Sequence, residues 1–184
     1  WLPDLDELRA AVTPKTKLLV LNTPGNPTGV VYPREVLQQI AALAQEQDFL
    51  VLSDEVYEKL IYDGAQHVSI ASLDGMKERT ITINGFSKAF AMTGWRMGYL
   101  AADARLILPM LKVHQYAVAS SNIIAQSAAI TALQAGESCV EEMRREYARR
   151  RQFLLDDFAQ LSEISGVAPS GTFYIYPNIS GTGL

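Results

Sequence analysis

The sequence predicts an α/β fold in which a mostly parallel sheet carries helices on both faces. Runs of mainly apolar and β-branched residues occur at Lys17–Asn22, Phe49–Ser53 and Thr80–Asn84, and the first two are continuously apolar over most of their length. Such continuous runs are typical of strands that are buried on both faces of a sheet. A helical pattern separates the first two runs, and this strand–helix–strand order favours parallel pairing. A further run, Gly98–Ala102, predicts a fourth strand.

Helices are predicted between and after these strands. Pro33 begins the first helical pattern, because proline suits the first position of a helix. The apolar residues of this pattern share one face and comprise Val36, Leu37, Ile40, Leu43 and Ala44. Arg105–Val118 predicts a second helix, which Pro109 is expected to kink or delay. Asn122–Leu133 is mostly small and apolar, and it therefore predicts a buried helix.

The last third of the chain predicts a long helix and a final strand. Apolar residues recur at helical spacing from Glu137 to about Leu161. After a turn at Pro169–Gly171, the aromatic and β-branched residues of Thr172–Tyr176 predict a strand. The chain starts at Trp1, without methionine or a leader, and stops soon after this strand. We therefore expect it to be part of a longer protein, with an incomplete sheet domain.

Composition narrows the possible partners. The 184 residues are 48% hydrophobic and 20% charged, which is ordinary for a globular protein. The net charge of −4 argues against a nucleic-acid partner, which a basic surface would attract. Apolar runs stay shorter than the roughly 18 residues of a membrane span. The single cysteine, Cys139, allows no internal disulfide, as is usual in the cytoplasm.

Five polar residues follow the predicted strands, where open α/β sheets bind ligands. Asn26 lies in the loop after the first strand, and Asp54 and Tyr57 follow the second. Lys88 follows the third strand, and Arg96 lies between two glycines before the fourth. A carboxylate beside a pocket requires a cation or a proton partner. A lysine shielded from water supplies the neutral amine that a Schiff base requires, and a guanidinium binds phosphate through paired hydrogen bonds.

Four of these residues, taken alone, also have an ordinary structural explanation. The Asn26 loop fits a tight turn, and Asp54 fits the N-cap of a helix. Lys88 fits a side chain whose stem packs while its ammonium reaches water, and Arg96 fits a structural ion pair. The two histidines are isolated in the sequence and are given no ligand role, and no metal site is predicted.

Three sequence motifs in a fixed order are more informative than any one of these residues. The chain contains NTPGNPTG at residues 22–29, SDEVY at residues 53–57 and SKAFAMTGWRMGY at residues 87–99. This combination resembles the class I and II aminotransferases of the fold type I pyridoxal-phosphate enzymes, and the resemblance covers nearly the whole chain. It also divides the chain: residues 1–135 resemble part of the large cofactor-binding domain, and residues 136–184 resemble the connecting helix and the start of a small C-terminal domain.

The resemblance implies a role for each of the five residues. Lys88 corresponds to the lysine that forms the Schiff base with pyridoxal 5′-phosphate and then moves the substrate proton. Asp54 corresponds to the aspartate that pairs with the pyridine nitrogen. Asn26 and Tyr57 correspond to the residues that contact the phenolic oxygen of the ring. Arg96 corresponds to the arginine that binds the phosphate. Lys88, Asp54 and Tyr57 are accordingly the expected catalytic residues.

The resemblance also implies what this chain lacks. Many relatives carry Ser or Thr three residues before the lysine, whereas this chain has Gly85, so a side-chain contact to the phosphate is not expected there. The glycine-rich phosphate loop and the ring-stacking aromatic residue would precede Trp1. The arginine for the substrate carboxylate would follow Leu184. The family forms homodimers with shared active sites, and the segment at residues 120–129 is a candidate for that contact.

Transfer of an amino group between an amino acid and a 2-oxo acid is therefore the expected activity, with the fragment alone expected to be inactive. A carbon–sulfur β-lyase would use the same lysine, aspartate, tyrosine and arginine. A non-catalytic regulator that binds pyridoxal phosphate is the third interpretation, and it would carry a DNA-binding region outside this sequence. The motifs do not separate these three interpretations.

Overall fold

A computed structural model describes residues 1–166 and 168–183, and it contains one four-stranded sheet. The strands are β1 (Leu18–Asn22), β2 (Leu50–Asp54), β3 (Thr80–Gly85) and β4 (Gly98–Ala101). They lie in the order β1-β2-β3-β4, with β1, β2 and β3 parallel and β4 antiparallel to β3. The predicted class, an α/β fold on a mostly parallel sheet, is confirmed, and all four strands lie within a residue or two of their predicted bounds.

Five α-helices accompany the sheet in the described residues. They are α1 (Leu5–Ala11), α2 (Arg34–Glu46), α3 (Ala104–Val118), α4 (Ile123–Ala135) and α5 (Glu137–Phe158). Short 3-10 turns lie at Ile70–Ser72, Thr93–Trp95 and Ser180–Thr182. Pro109 lies inside α3 without ending it. Helix α1 was not predicted, although Asp4 caps it by accepting hydrogen bonds from the first turn. None of the described helices is long and apolar enough to cross a membrane.

The main core lies between α2 and one face of the sheet. Leu21 and Val51 point from the strands towards Leu37 and Ile40 of α2, and all four are buried. The opposite face is more open: Val20 on β1 is 65% exposed. Helix α3 lies on that side, where its residues line a cavity together with residues of β3 and β4. The core therefore covers one face of the parallel strands, and the carboxyl ends of these strands remain accessible.

Two sequence predictions are wrong. Thr172–Tyr176 does not form a strand, because Thr172 adopts a left-handed backbone conformation (φ 64°) that turns the chain. Only isolated bridges flank this segment, at Gly171 and Asn178. The helix predicted over residues 122–133 exists as α4, but only Ala125 and Ala129 in it are buried. Its isoleucines are exposed, because nothing in the described residues packs on that face.

Candidate active site

The loops that carry the predicted site start from one edge of the sheet. Asn22 at the end of β1 is in register with Asp54 at the end of β2, and Asp54 is in register with Ile83 of β3. Because these strands are parallel, the segments that follow them leave the sheet at the same edge. The segments that carry Asn26, Asp54, Tyr57 and Lys88 therefore leave the sheet next to one another.

The backbone N–H groups of the loop after β1 are hydrogen-bonded within the loop and to the end of the strand. Gly25 N–H donates to the Val30 carbonyl at 2.9 Å, and Asn26 N–H donates to Oδ1 of Asn22 at 2.7 Å. The Thr23–Pro24 and Asn26–Pro27 peptide bonds are both cis. The side chain of Asn26 lies beside Tyr57 and lowers the pKa of its hydroxyl group. The loop is thus a tight turn that also presents an amide to the site.

The segment after β2 brings a carboxylate and a phenol together. Asp54 is half-buried, and its Oδ1 accepts a hydrogen bond from Val56 N–H at 3.3 Å. A turn follows instead of a helix, so Asp54 is not a helix cap. Tyr57 is buried, and desolvation raises the pKa of its hydroxyl well above the usual range. Its bond with Tyr174 and the nearby Asp54 raise the pKa further, whereas Asn26 acts in the opposite direction. Tyr57 therefore keeps its proton near neutral pH.

The buried carboxylate of Glu55 fixes this segment on the side away from the open edge. Glu55 is 2% exposed and accepts hydrogen bonds from Ser53 Oγ at 2.9 Å and Ser69 Oγ at 2.7 Å. Nε2 of His67 lies 2.9 Å from Oε2 of Glu55. Adjacent side chains of an extended segment point to opposite sides, so a fixed Glu55 directs Asp54 towards the open edge. The sequence analysis missed both Glu55 and the partner of His67.

Lys88 lies after β3, with its amine beside two aromatic rings. Its Nζ is 5.6 Å from the centroid of Tyr57 and 5.3 Å from the centroid of Phe173. Across residues 1–166 and 168–183, Lys88 has no ion pair with a carboxylate. Lys88 is half-buried beside Tyr57, and its amine is therefore available to a ligand that enters the open edge of the sheet.

Arg96 occupies a different environment. It is exposed, has a left-handed backbone (φ 53°), and donates from Nη1 to the Thr93 carbonyl at 3.0 Å. In the described part of the chain no carboxylate pairs with it, so the ion pair considered as its structural explanation is not seen there. It borders an open cavity together with Trp95, Asn122 and Ala125. The structure therefore joins Asn26, Asp54, Tyr57 and Lys88, and leaves Arg96 at an open margin.

The structure gives a physical reason for Gly85. This residue pairs with Gly98 across β3 and β4, and a Cβ atom at position 85 would lie 3.3 Å from the Met97 carbonyl oxygen. A side chain there would need β4 to move outwards by a few tenths of an ångström. Close approach of the two strands thus favours glycine over a residue with a side chain at this position.

Two site residues were missed because they come from the far end of the chain. Phe173 packs edge-on against Tyr57, with centroids 5.4 Å apart, and the Tyr174 hydroxyl lies 3.1 Å from the Tyr57 hydroxyl. The sequence analysis assigned both to a strand. The available signal was the adjacent aromatic pair directly after a Pro-Ser-Gly turn, in a segment without clean alternation.

Comparison with known proteins agrees with this geometry. The family described as aminotransferase class I and II matches residues 1–182. The chain is 50% identical to aromatic-amino-acid aminotransferase 2 of Thermococcus litoralis over 182 residues, covering 98% of this chain and 46% of that protein. It is also 50% identical to an aspartate aminotransferase of Pyrococcus abyssi over 183 residues, covering 98% of this chain and 47% of the relative.

Solved structures show the same relationship. An aromatic aminotransferase from Pyrococcus horikoshii OT3 superposes with a TM-score of 0.95 at 49% identity, covering 99% of this chain and 49% of that one. Aspartate aminotransferase from Thermus thermophilus with maleate gives a TM-score of 0.88 at 46% identity, covering 92% and 44%. The chain thus spans about half the length of the relatives it matches.

Proposed function

The chain belongs to the class I and II aminotransferases, and from this membership we propose that the complete protein transfers an amino group between an amino acid and a 2-oxo acid, with pyridoxal 5′-phosphate bound to Lys88. The observation that carries the proposal is the position of the Lys88 amine. It lies within 5.6 Å of the centroids of two aromatic rings, at the sheet edge that also presents Asp54, and it has no carboxylate partner in the described residues.

The side chains present fit this cofactor by their chemistry. An amine matches the aldehyde, a carboxylate matches the protonated pyridine nitrogen, and a phenol with an amide matches the ring oxygen. A guanidinium matches the phosphate. When bound, the cofactor supplies an electron-accepting ring that stabilises negative charge at the substrate α-carbon. Every polar part of the cofactor thus has a candidate partner among Asn26, Asp54, Tyr57, Lys88 and Arg96.

Each residue has a defined task in this proposal. Lys88 would hold the cofactor through Nζ, and its free amine would carry a proton to and from the substrate α-carbon. Asp54 holds the proton on the pyridine nitrogen by its negative charge. Tyr57 donates a hydrogen bond to the ring oxygen, because its own proton is retained near neutral pH. Arg96 binds the phosphate.

We also propose the organisation of the complete protein. Residues 1–135 belong to its large domain, and residues 136–184 connect to a small C-terminal domain. The protein works as a cytoplasmic homodimer, which the exposed apolar side chains of α3 and α4 support: Tyr116 is 95% exposed and Ile123 is 74% exposed. Residues 1–184 alone are inactive, because the phosphate side of the site is open around Arg96.

The test is covalent labelling of the complete protein. Pyridoxal phosphate is added, the near-ultraviolet and violet absorbance is recorded, and the bond is trapped with borohydride. We expect labelling in the natural protein and in Lys112→Ala, an exposed lysine on α3, and none in Lys88→Ala. A reducible bond that survives in Lys88→Ala would refute the central assignment.

Product analysis then separates the related activities. An amino acid supplied with 2-oxoglutarate is expected to give its own 2-oxo acid and glutamate. Ammonia and pyruvate formed without added 2-oxo acid would instead show a carbon–sulfur β-lyase. Covalent labelling without turnover of any amino acid would indicate a binding protein with a regulatory role.

A further inference from the structure

Tyr174 contacts Tyr57 through both its hydroxyl group and its ring. Its hydroxyl oxygen lies 3.1 Å from the hydroxyl oxygen of Tyr57, and either one can be the donor. The two rings meet edge to face, with centroids 5.9 Å apart and planes at 76°. The side chain of Asn26 also interacts with Tyr57, so the Tyr57 hydroxyl faces two polar partners that come from distant parts of the chain.

The position of Tyr174 is fixed by hydrogen bonds between its segment and the segment after Tyr57. Thr172 N–H donates to the Leu60 carbonyl at 2.8 Å, and Tyr62 N–H donates to the Ser170 carbonyl at 2.9 Å. The Tyr62 hydroxyl donates to the Thr172 carbonyl at 2.6 Å. Tyr174 N–H donates to the Thr172 side chain at 3.1 Å. The approach of the two hydroxyl groups is therefore built into the fold.

The chemistry of two adjacent phenols sets a direction. A phenol has one proton to donate and lone pairs with which to accept. An anionic oxygen attracts that proton more strongly than a neutral hydroxyl does. When the Tyr57 proton is directed to the ring oxygen of the cofactor, the Tyr57–Tyr174 bond is retained only with Tyr174 as the donor. A hydroxyl that accepts a hydrogen bond is polarised and donates more strongly itself.

We propose that Tyr174 is a positioning residue, which directs the Tyr57 proton towards the cofactor and strengthens that hydrogen bond. The inference rests on the proposed function, because it requires a cofactor ring oxygen beside Tyr57. Tyr174 acts only through Tyr57 and does not itself contact the reacting atoms. The segment that follows α5 thereby tunes a cofactor held by the loops of the sheet.

The consequence is measurable as a pH midpoint. A strong hydrogen bond to the anionic ring oxygen weakens the attraction of that oxygen for the proton on the Lys88–cofactor bond. The pH at which the absorbance of the bound cofactor changes is therefore lower with Tyr57 and Tyr174 present. Removing the Tyr174 hydroxyl should raise this midpoint by about half a pH unit, as expected for one hydrogen bond lost. Tyr57→Phe should raise it further.

The experiment is a pH titration of absorbance on the complete protein loaded with pyridoxal phosphate. The proteins compared are the natural one, Tyr174→Phe, Tyr57→Phe and the double variant. Tyr174→Leu, which removes the whole ring, is a second test of the same hydroxyl. Tyr176→Phe is the matched control, because Tyr176 lies in the same segment but packs its ring on Trp1. Circular dichroism and cofactor stoichiometry verify that each variant is folded and loaded.

The expected result is an upward shift in both Tyr174 variants, none in Tyr176→Phe, and no added shift when Tyr174→Phe is combined with Tyr57→Phe. An unchanged midpoint in the Tyr174 variants overturns the inference. So does an equal shift in the presence and absence of the Tyr57 hydroxyl, since Tyr174 would then act independently. A natural protein without a cofactor band would refute the proposed function instead, which keeps the two failures apart.

Discussion

The ring side and the phosphate side that we propose for the candidate site differ in how completely this chain builds them. The ring side comprises Asn26, Asp54, Tyr57 and Lys88, and three segments of the chain are hydrogen-bonded together around it. The phosphate side centres on Arg96, which is exposed and bonds only to a nearby carbonyl in the described residues. The ring side is therefore formed within this chain, whereas the phosphate side is formed only in part.

The cause of the difference is packing. Loops on the ring side are attached to strands that are covered by α2, and their backbone groups are bonded to one another. Arg96 precedes β4, whose four residues are all exposed, and α3 next to it has no buried residue. The relatives are about twice as long as this chain, and we expect the remaining half of the protein to cover this side.

The largest predicted effect breaks the chemistry of the ring side without breaking its structure. In Asp54→Asn the side chain can still accept the hydrogen bond from Val56 N–H, but it has no charge to hold a proton on the pyridine nitrogen. We expect amino transfer by the complete protein to fall roughly a thousandfold. Covalent labelling at Lys88 should persist, so rate and labelling are measured together.

The control for this prediction is Asp74→Asn, an exposed surface aspartate. It removes one negative charge at a distance from the site and should leave the rate unchanged. Equal losses in the two variants would show that net charge, and not the pyridine partner, is responsible. Loss of labelling in Asp54→Asn would mean that the ring side had been disrupted structurally.

The second prediction tests how rigidly the three segments are joined. Gly29 has a φ of 68°, and a Cβ atom there would collide with Pro169 and lie 2.9 Å from the Gly171 carbonyl oxygen. Gly64 has a similar φ of 74° but open space around it. The left-handed backbone costs alanine about 1–2 kcal/mol at either position, and steric overlap adds roughly 1–3 kcal/mol at position 29 alone.

Thermal and urea unfolding of Gly29→Ala and Gly64→Ala measure this difference directly. The backbone contribution is shared, so the extra destabilisation of Gly29→Ala reports the contact between the Asn26 loop and the Pro169–Tyr174 segment. Equal stability of the two variants would show that these segments move apart freely. The ring side would then be no better assembled than the phosphate side.

Sequence reasoning reached the ring side only in part, and the reason is distance along the chain. The strands and the residues at their ends follow from local patterns, since burial of a strand leaves its signature in five or six consecutive residues. The partnership of Tyr57 with Tyr174 joins residues 117 positions apart. It depends on the left-handed turn at Thr172, which aromatic and β-branched composition does not reveal. The open surface of α4 was missed because burial depends on what lies opposite.

The third prediction addresses the phosphate side. Arg96→Ala in the complete protein should weaken binding of pyridoxal phosphate about tenfold, as expected for loss of a charge-assisted contact. The affinity of Arg96→Lys for pyridoxal phosphate should lie between those of the natural protein and Arg96→Ala, because lysine keeps the charge but cannot form the paired hydrogen bonds of arginine. Arg105→Ala is the control, since Arg105 is an exposed arginine already paired with Asp103.

Salt dependence decides whether this side stays open. Contacts of an exposed charge are screened by salt, so the effect of Arg96→Ala should shrink as ionic strength rises. A loss much greater than tenfold that is insensitive to salt would mean that Arg96 is enclosed in the complete protein. The ring side and the phosphate side would then differ in residues 1–184 but not in the complete protein.

The smallest predicted effect concerns the outer support of the ring side. Arg144 on α5 donates to the Ile61 carbonyl at 3.3 Å, next to the bridge between Ile61 and Gly171. Hydrogen bonds from Arg144 and Arg145 lower the pKa of Glu141 from 4.5 to about 2. A carboxyl group whose pKa is lowered by folding stabilises the fold above its unfolded pKa, and this contribution is lost as the pH falls through the folded value. Acid between about pH 4.5 and pH 2 should therefore loosen the hold of α5 on the Tyr57–Tyr62 segment.

Thermal unfolding of Glu141→Gln and the natural chain at several pH values tests this link. At pH 6 the variant should be slightly less stable, because exposed ion pairs contribute little, and the difference should vanish near pH 2. Glu142→Gln, the exposed neighbour without an ion pair among residues 1–166 and 168–183, should track the natural chain throughout. A pH-independent difference for Glu141→Gln would mean that its side chain acts by packing on α5, and that the ring side owes its order to the loop hydrogen bonds alone.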